Sequence, residues 1–406
     1  MNSDKTIGII LDGEYWLDAR VRNYTEQLAT AGFKLKVLCF PSSPPKNEYI
    51  ELLYANIEFF CVKPSWFTYK SSALAYELPF YHRWCKNKAR AFHEEHPCDL
   101  WHVNDIRAGL PFITFAKANG IKCVIDLHEI RPEIMRHYAY VKRFPNKYLV
   151  DLKKWKRGEQ ICIETADKTI VVTESAKRFY ELNYKSSPSK IHVVPNSVSR
   201  NFQHSGERSG IFDVVRTKHA ITYIGDTSER RGLLTAIEAM SEIVLNNPKA
   251  HLFIIGTSSF DEHLKNRVQQ LELNDHVTFL GWIDSSYFPE ILSYSSIGIC
   301  LLHRNAHHDT TLANKIMQYA SIGLPQIVSD CPAQAELVKQ EKIGLVVRAE
   351  DHQEFSNAVG KLLSDSELSD TLGKNGTKLV RKKYNWEVII NDLIEVYHKL
   401  TSSTNI

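Results

Sequence analysis

The sequence predicts an α/β protein of two doubly wound parallel sheets, and three observations predict it. Short apolar runs recur at 5–11, 34–40, 57–62, 100–103, 122–126, 169–172, 191–194, 219–224, 251–255, 277–280, 297–302, 326–329 and 343–347. Several are separated by segments with apolar residues at helical spacing, and strand alternating with helix is the pattern of a parallel sheet. At 406 residues the chain is also long for one core, so two domains of about 200 residues each are expected.

Composition fits a globular protein: 43% hydrophobic and 24% charged, with no run of 18 apolar residues. Residues 1–13 lack the basic start and small-residue cleavage site of a signal peptide, and their apolar run reads as a strand. Eight cysteines are scattered without C-x-x-C, and Cys39, Cys61, Cys123 and Cys300 fall in strand-like runs. They read as buried thiols of a reducing cytoplasm, not as disulfides or a zinc site. Charge is uneven: residues 1–200 carry 30 Lys and Arg against 22 Asp and Glu, whereas residues 201–406 carry 20 against 25. An anionic partner is therefore expected on the first half.

The first strand, 5–11, leads through a polar loop to a helix over 19–31, which Gly32 closes before the strand at 34–40. No G-x-G-x-x-G follows the first strand, so a nicotinamide cofactor is not expected. Asp18 reads either as a helix N-cap or as part of a site. Two basic and aromatic segments follow. Residues 66–92 mix Trp66, Phe67, Tyr69, Tyr76, Phe80, Tyr81 and Trp84 with lysine and arginine; residues 136–157 mix Tyr138, Tyr140, Phe144, Tyr148 and Trp155 with eight more cations. Such mixtures suit a membrane interface, and equally suit helices with apolar undersides and solvated basic faces. Polar clusters end two strands, at 101–105 and at Asp126, Leu127, His128 and Glu129.

Residues 201–218 read as a linker. Beyond the strand at 219–224, a loop from Gly225 to Gly232 enters a helix over 233–245. A glycine-bounded loop running into a helix N-terminus presents free N–H groups to an anion, and Arg230 and Arg231 add guanidinium groups. The strand at 251–255 ends in a tight turn at Gly256. After the strand at 297–302 comes a His-rich loop, 303–310, then a helix over 312–321 that Gly323 ends and Pro325 prevents from restarting. His303, His307 and His308 read as a substrate loop or as solvated side chains, not as metal ligands. In a doubly wound sheet ligands gather at the carboxyl ends of strands, which marks this loop and the start of its helix.

Asn314 and Lys315, Gly323–Leu324–Pro325 and Ser329–Asp330 together resemble the nucleotide-sugar segment of the retaining, family 4-like glycosyltransferases. The run from Asp126 through His128 to Glu133 resembles that family's D-x-H-[DE]-x-x-P-E signature, and Asp18–Val21 its D-x-R-V opening. The resemblance implies two Rossmann-like domains facing a cleft (the GT-B architecture). It places an acceptor-side domain at 1–200, the linker at 201–218, a nucleotide-sugar domain at 219–383, and a last helix, within 384–406, crossing back to the first domain. It implies a hexosyl transfer with retention, from a nucleoside diphosphate sugar to a glycan or lipid-linked glycan acceptor, in surface polysaccharide or glycoconjugate synthesis. A nucleotide-sugar epimerase of the same fold and a non-catalytic sugar-nucleotide-binding subunit are the alternatives.

Catalytic roles fall to His128, beside the transferred sugar, and to Arg231 and Lys315, on the leaving diphosphate. Gly13, Gly225, Arg230, Gly256, Asn314, Gln318 and Glu336 are expected to bind the donor. Two departures stand out: Gln318 replaces the usual glutamate, and Asp226 occupies an often basic position. No cofactor and no metal are expected, nor is a nucleic-acid partner, because the basic surplus is modest. The expected location is cytoplasmic, peripheral on the inner face of an anionic membrane.

Overall fold

Each of the thirteen apolar runs becomes a strand, with ends shifted by at most two residues. A computed structural model describes residues 5–41, 56–184, 186–202, 212–216 and 218–402. The first sheet comprises β1 (Thr6–Leu11), β2 (Lys34–Cys39), β3 (Ile57–Cys61), β4 (Leu100–Asn104), β5 (Lys122–Leu127), β6 (Lys168–Val171) and β7 (Ile191–Val193), in the order β3-β2-β1-β4-β5-β6-β7. The second comprises β8 (His219–Ile224), β9 (Ala250–Ile255), β10 (Val277–Gly281), β11 (Ile297–Cys300), β12 (Gln326–Ser329) and β13 (Gly344–Val347), in the order β10-β9-β8-β11-β12-β13. All the pairings between these strands are parallel. Both sheets thus reverse direction of growth once, between β1 and β4 and between β8 and β11, as doubly wound sheets do.

The strands are apolar because helices cover both faces. Ile7, Ile9 and Ile10 of β1 are fully buried, as are Ile221 and Tyr223 of β8. Helix ends follow local chemistry. Asp18 accepts a hydrogen bond from the Val21 N–H at 3.0 Å, so it is the N-cap of the helix Ala19–Thr30. Gly323, at φ 80°, ends the helix Asn314–Ile322 in the left-handed region.

The chain divides into two units, Met1–Pro195 with Ile389–Ile406, and Asn196–Val388. The last helix, Trp386–Thr401, begins in the second unit, where the Trp386 indole donates to the Ser197 carbonyl at 3.0 Å. From Ile389 onward its residues belong to the first, and there the buried Tyr397 hydroxyl bonds His102 Nδ1 at 2.6 Å. Of the expected linker, residues 203–211 and 217 lie outside the described residues; Asp213–Arg216 is one helical turn.

Candidate functional site

In the second unit the sequence-predicted cations gather at the reversal point of the sheet. The strand β8 ends at Ile224 and the chain turns at Gly225, whose φ is 121°. A Cβ at that glycine would stand 3.2 Å from Lys315 Nζ, so the residue both permits the turn and clears the lysine. Gly256, after β9, plays the matching part: a Cβ there would lie 1.9 Å from the Gly225 carbonyl oxygen. The two turns nest against each other, which accounts for both glycines sterically.

Lys315 is the second residue of the helix Asn314–Ile322 and is only 7% exposed. Its ammonium donates to the Tyr223 hydroxyl at 3.2 Å and lies 4.2 Å from that ring's centroid. Burial, together with the nearby Arg231 and Arg230, lowers its pKa to about 8, against the pull of Cys300 and Asp226. The Tyr223 hydroxyl in turn donates to the Asp226 carbonyl. Asp226 gathers the arginines: Arg231 Nε donates to its Oδ2 at 3.1 Å, and Arg230 Nη2 at 3.3 Å. Burial opposes its ionisation, yet Arg231 and the Ser228 donors hold its carboxyl below the usual range.

Arg230 also donates to His308 Nε2 at 3.2 Å, while His308 Nδ1 lies 2.7 Å from the His303 carbonyl. An arginine can only donate, so Nε2 accepts and the proton sits on Nδ1. His303 and His308 therefore brace the arginine loop. No cluster of three or more His, Cys, Asp or Glu suited to a metal occurs among the described residues.

Asn314 is exposed at the helix start and Gln318 lies one turn on, half-buried, so the two share a stripe beside Lys315. The N-cap, Ala313, has no side chain to satisfy the first N–H groups of this helix. Glu336 sits differently. It is exposed in the middle of the helix Pro332–Glu341 and accepts from Gln340 at 3.1 Å. The position that meets the sheet is Gln334, fully buried, whose amide donates to the Cys300 carbonyl at 3.3 Å and to the Ser329 carbonyl at 3.0 Å.

In the first unit the motif residues build a separate polar cluster at the end of β5. Asp126, fully buried, receives Arg20 Nε at 3.0 Å and Nη2 at 2.9 Å, with His102 Nε2 at 3.5 Å. Burial disfavours the carboxylate, but Arg20 and then His102 hold it well below the usual range. His128 is 22% exposed by side chain, and its Nδ1 stands 4.0 Å from Asp126 Oδ1. Arg131 pairs with Asp105, which fixes the loop beyond His128. Gly13 lies in the first loop with nothing within 4 Å of a Cβ added there; beside it Asp12 receives Arg107. Sequence reasoning missed Arg20, His102, Asp105 and Tyr397 as partners. Arg20 was visible only as one letter of an opening motif, because a pairing across 106 residues leaves no local pattern.

Comparison with known proteins shows the family and the fold. Residues 18–202 match the model of Glycosyltransferase Family 4, and residues 210–379 that of Glycosyl transferases group 1. The UDP-Gal:alpha-D-GlcNAc-diphosphoundecaprenol alpha-1,3-galactosyltransferase of Escherichia coli is 24% identical over 314 residues, covering 74% of this chain and 75% of that protein. Sucrose-phosphate synthase from Thermosynechococcus elongatus superposes with a TM-score of 0.78 at 19% identity, over 98% of this chain and 100% of that one. Anabaena HepE, solved in complex with UDP, gives 0.72 at 15% identity, over 97% and 100%.

Proposed function

Because the chain belongs to the family 4-like glycosyltransferases of GT-B architecture, we propose that it moves a hexosyl group, with retention, from a nucleoside diphosphate sugar to a glycan or lipid-linked acceptor. The galactosyltransferase relative acts, by its name, on a diphosphoundecaprenol-linked sugar, and HepE was solved with UDP. Those two facts favour a uridine nucleotide donor class and a polyprenyl-linked acceptor in surface glycan synthesis.

One observation carries the reading. Lys315, buried beside Arg231 and Arg230 at the sheet's reversal point, adjoins a helix start with no side-chain cap. Converging cations and free N–H groups are what a diphosphate needs. As the sugar leaves, charge grows on the diphosphate, and preorganised cations stabilise it. Arg231 must exchange Asp226 for phosphate oxygen, which leaves Asp226 as the group that holds the arginine in readiness. The departing phosphate oxygen takes the acceptor proton, and no metal is called for. Gln318 contacts the ribose through its carbonyl oxygen, and the family resemblance gives His128 a part in the transfer.

Titration calorimetry with UDP and with uridine tests this. Arg231→Ala and Lys315→Ala should each weaken UDP binding by tenfold or more, about 1.5–3 kcal/mol, and leave uridine binding nearly unchanged. Variants that bind UDP as the parent does would place the diphosphate elsewhere.

A further inference from the structure

Away from the donor cations, the first sheet holds a pair of thiols that the proposed reaction does not use. Cys39 ends β2 and Cys61 ends β3, and they are register partners on adjacent parallel strands, so both side chains leave the same face. Their sulfurs lie 3.0 Å apart, whereas bonded sulfurs are about 2.05 Å apart. Adjacent strands set backbones about 4.8 Å apart, inside the roughly 4.4–6.8 Å over which a disulfide closes. Closing the bond therefore needs rotation about side-chain bonds rather than movement of a strand.

Access to the two sulfurs differs. Cys39 is fully buried, while Cys61 is partly exposed on the edge strand of the sheet. Contact with Cys61, and then burial, push the Cys39 thiol up; the hydrogen bond from Cys39 draws Cys61 down against its own burial. Cys61 is accordingly the sulfur that a reagent meets first, and Cys39 the neighbour that resolves it. Among the other six cysteines only Cys98 is partly exposed, and its thiol donates to the His96 carbonyl at 3.2 Å.

We propose that Cys39 and Cys61 form a reversible dithiol–disulfide site whose oxidant is a low-molecular-weight disulfide. The Cys61 thiolate attacks one sulfur of that disulfide, whose S–S bond breaks and releases one thiol. Cys39, losing its proton, attacks the Cys61 sulfur of the mixed disulfide and expels the second thiol. The protein gives up two electrons and two protons, and the small disulfide takes both. The site is close to the first loop. The Tyr15 backbone N–H bonds the Cys39 sulfur, and the Tyr15 ring meets Phe59 of β3 edge-on at 4.8 Å. The cross-link would thus fasten the edge strand beneath the loop that carries Gly13.

The test uses the whole reduced protein exposed to oxidised glutathione, then alkylation of the remaining thiols and peptide mass mapping. Two of the eight thiols should vanish into a Cys39–Cys61 link, lowering the mass by two hydrogens, and dithiothreitol should restore both. Cys39→Ser should stop at a glutathione adduct on Cys61, and Cys61→Ser should leave Cys39 unmodified. A lasting glutathione adduct on Cys61 in the parent, or adducts on Cys98 that form before any Cys39–Cys61 link, would overturn the proposal. Neither outcome bears on the donor site, because the site and its readout are independent of the glycosyl transfer.

Discussion

A lysine at the second position of a helix, nearly out of solvent and next to two arginines, is unfavourably placed for a charge unless an anion joins it. The lowered pKa of Lys315, about 8, is the measure of that, and burial is its first cause. A diphosphate would favour the charged form and raise the pKa on binding. Affinity for UDP should therefore hold below pH 8 and fall as pH rises through it, with proton uptake on binding near that pH. Calorimetry in two buffers of different ionisation enthalpy would read the uptake directly; no proton exchange, with affinity flat from pH 7 to 9, would contradict it. His128 is the corresponding residue of the first unit. Its approach to Asp126 is long, at 4.0 Å, and its side chain reaches solvent, unlike the sealed His102. His128→Ala should lower turnover at least tenfold, about 1.4 kcal/mol in the barrier, with unchanged UDP affinity and an unchanged melting temperature. An early-melting variant that keeps full specific activity in the cold would instead mark a packing residue.

At the scale of elements, the helices show where spacing alone misleads. The two basic, aromatic segments look uniform in sequence, yet they divide in the structure. Tyr81 and Trp155 are core residues, and Tyr76 packs against Trp155 with ring centroids 4.7 Å apart. Trp66 is 75% exposed, Phe144 80% and Tyr148 74%. The helix Leu152–Thr165 makes the packing side of this concrete. A Cβ on Gly158 would stand 1.8 Å from the Tyr76 ring, whose hydroxyl donates to the Ile106 carbonyl at 2.7 Å. Alanine in a helix interior ordinarily gains roughly 0.5–1 kcal/mol over glycine. Overpacking of about 1–3 kcal/mol exceeds that gain here. Gly158→Ala should lower the urea midpoint, and a raised midpoint would show that Tyr76 can move aside.

Over the whole molecule, the exposed aromatics of the first unit coincide with the half of the chain that carries the basic surplus. Trp66, Phe67, Tyr69 and Phe80 with Lys70, and Phe144 and Tyr148 with Lys147, form surfaces on which rings can sit at headgroup depth and cations can meet anionic lipid. Among the described residues no helix is long and apolar enough to cross a membrane. The proposed acceptor, a lipid-linked glycan, would make such a surface useful. Flotation with anionic vesicles should carry the protein upward, less so as salt rises. Equal flotation with neutral vesicles, or none with either, would favour an acceptor free in solution.

The amino-acid order alone determined the strands, their helical connections and thus the fold class, because side-chain periodicity and glycine or proline stops act over a few residues. It also singled out Gly225, Arg231 and Lys315 by motif as candidates. Only the tertiary structure decided which partners those groups have. Tyr223 beneath Lys315 and Arg20 on Asp126 are joined across 92 and 106 residues. Sheet order brings such groups together, and burial sets their charges. Asp18 reads as cap or site from sequence, and one hydrogen bond to Val21 makes it a cap. Local chemistry is written in neighbours along the chain, whereas electrostatics depends on neighbours in space.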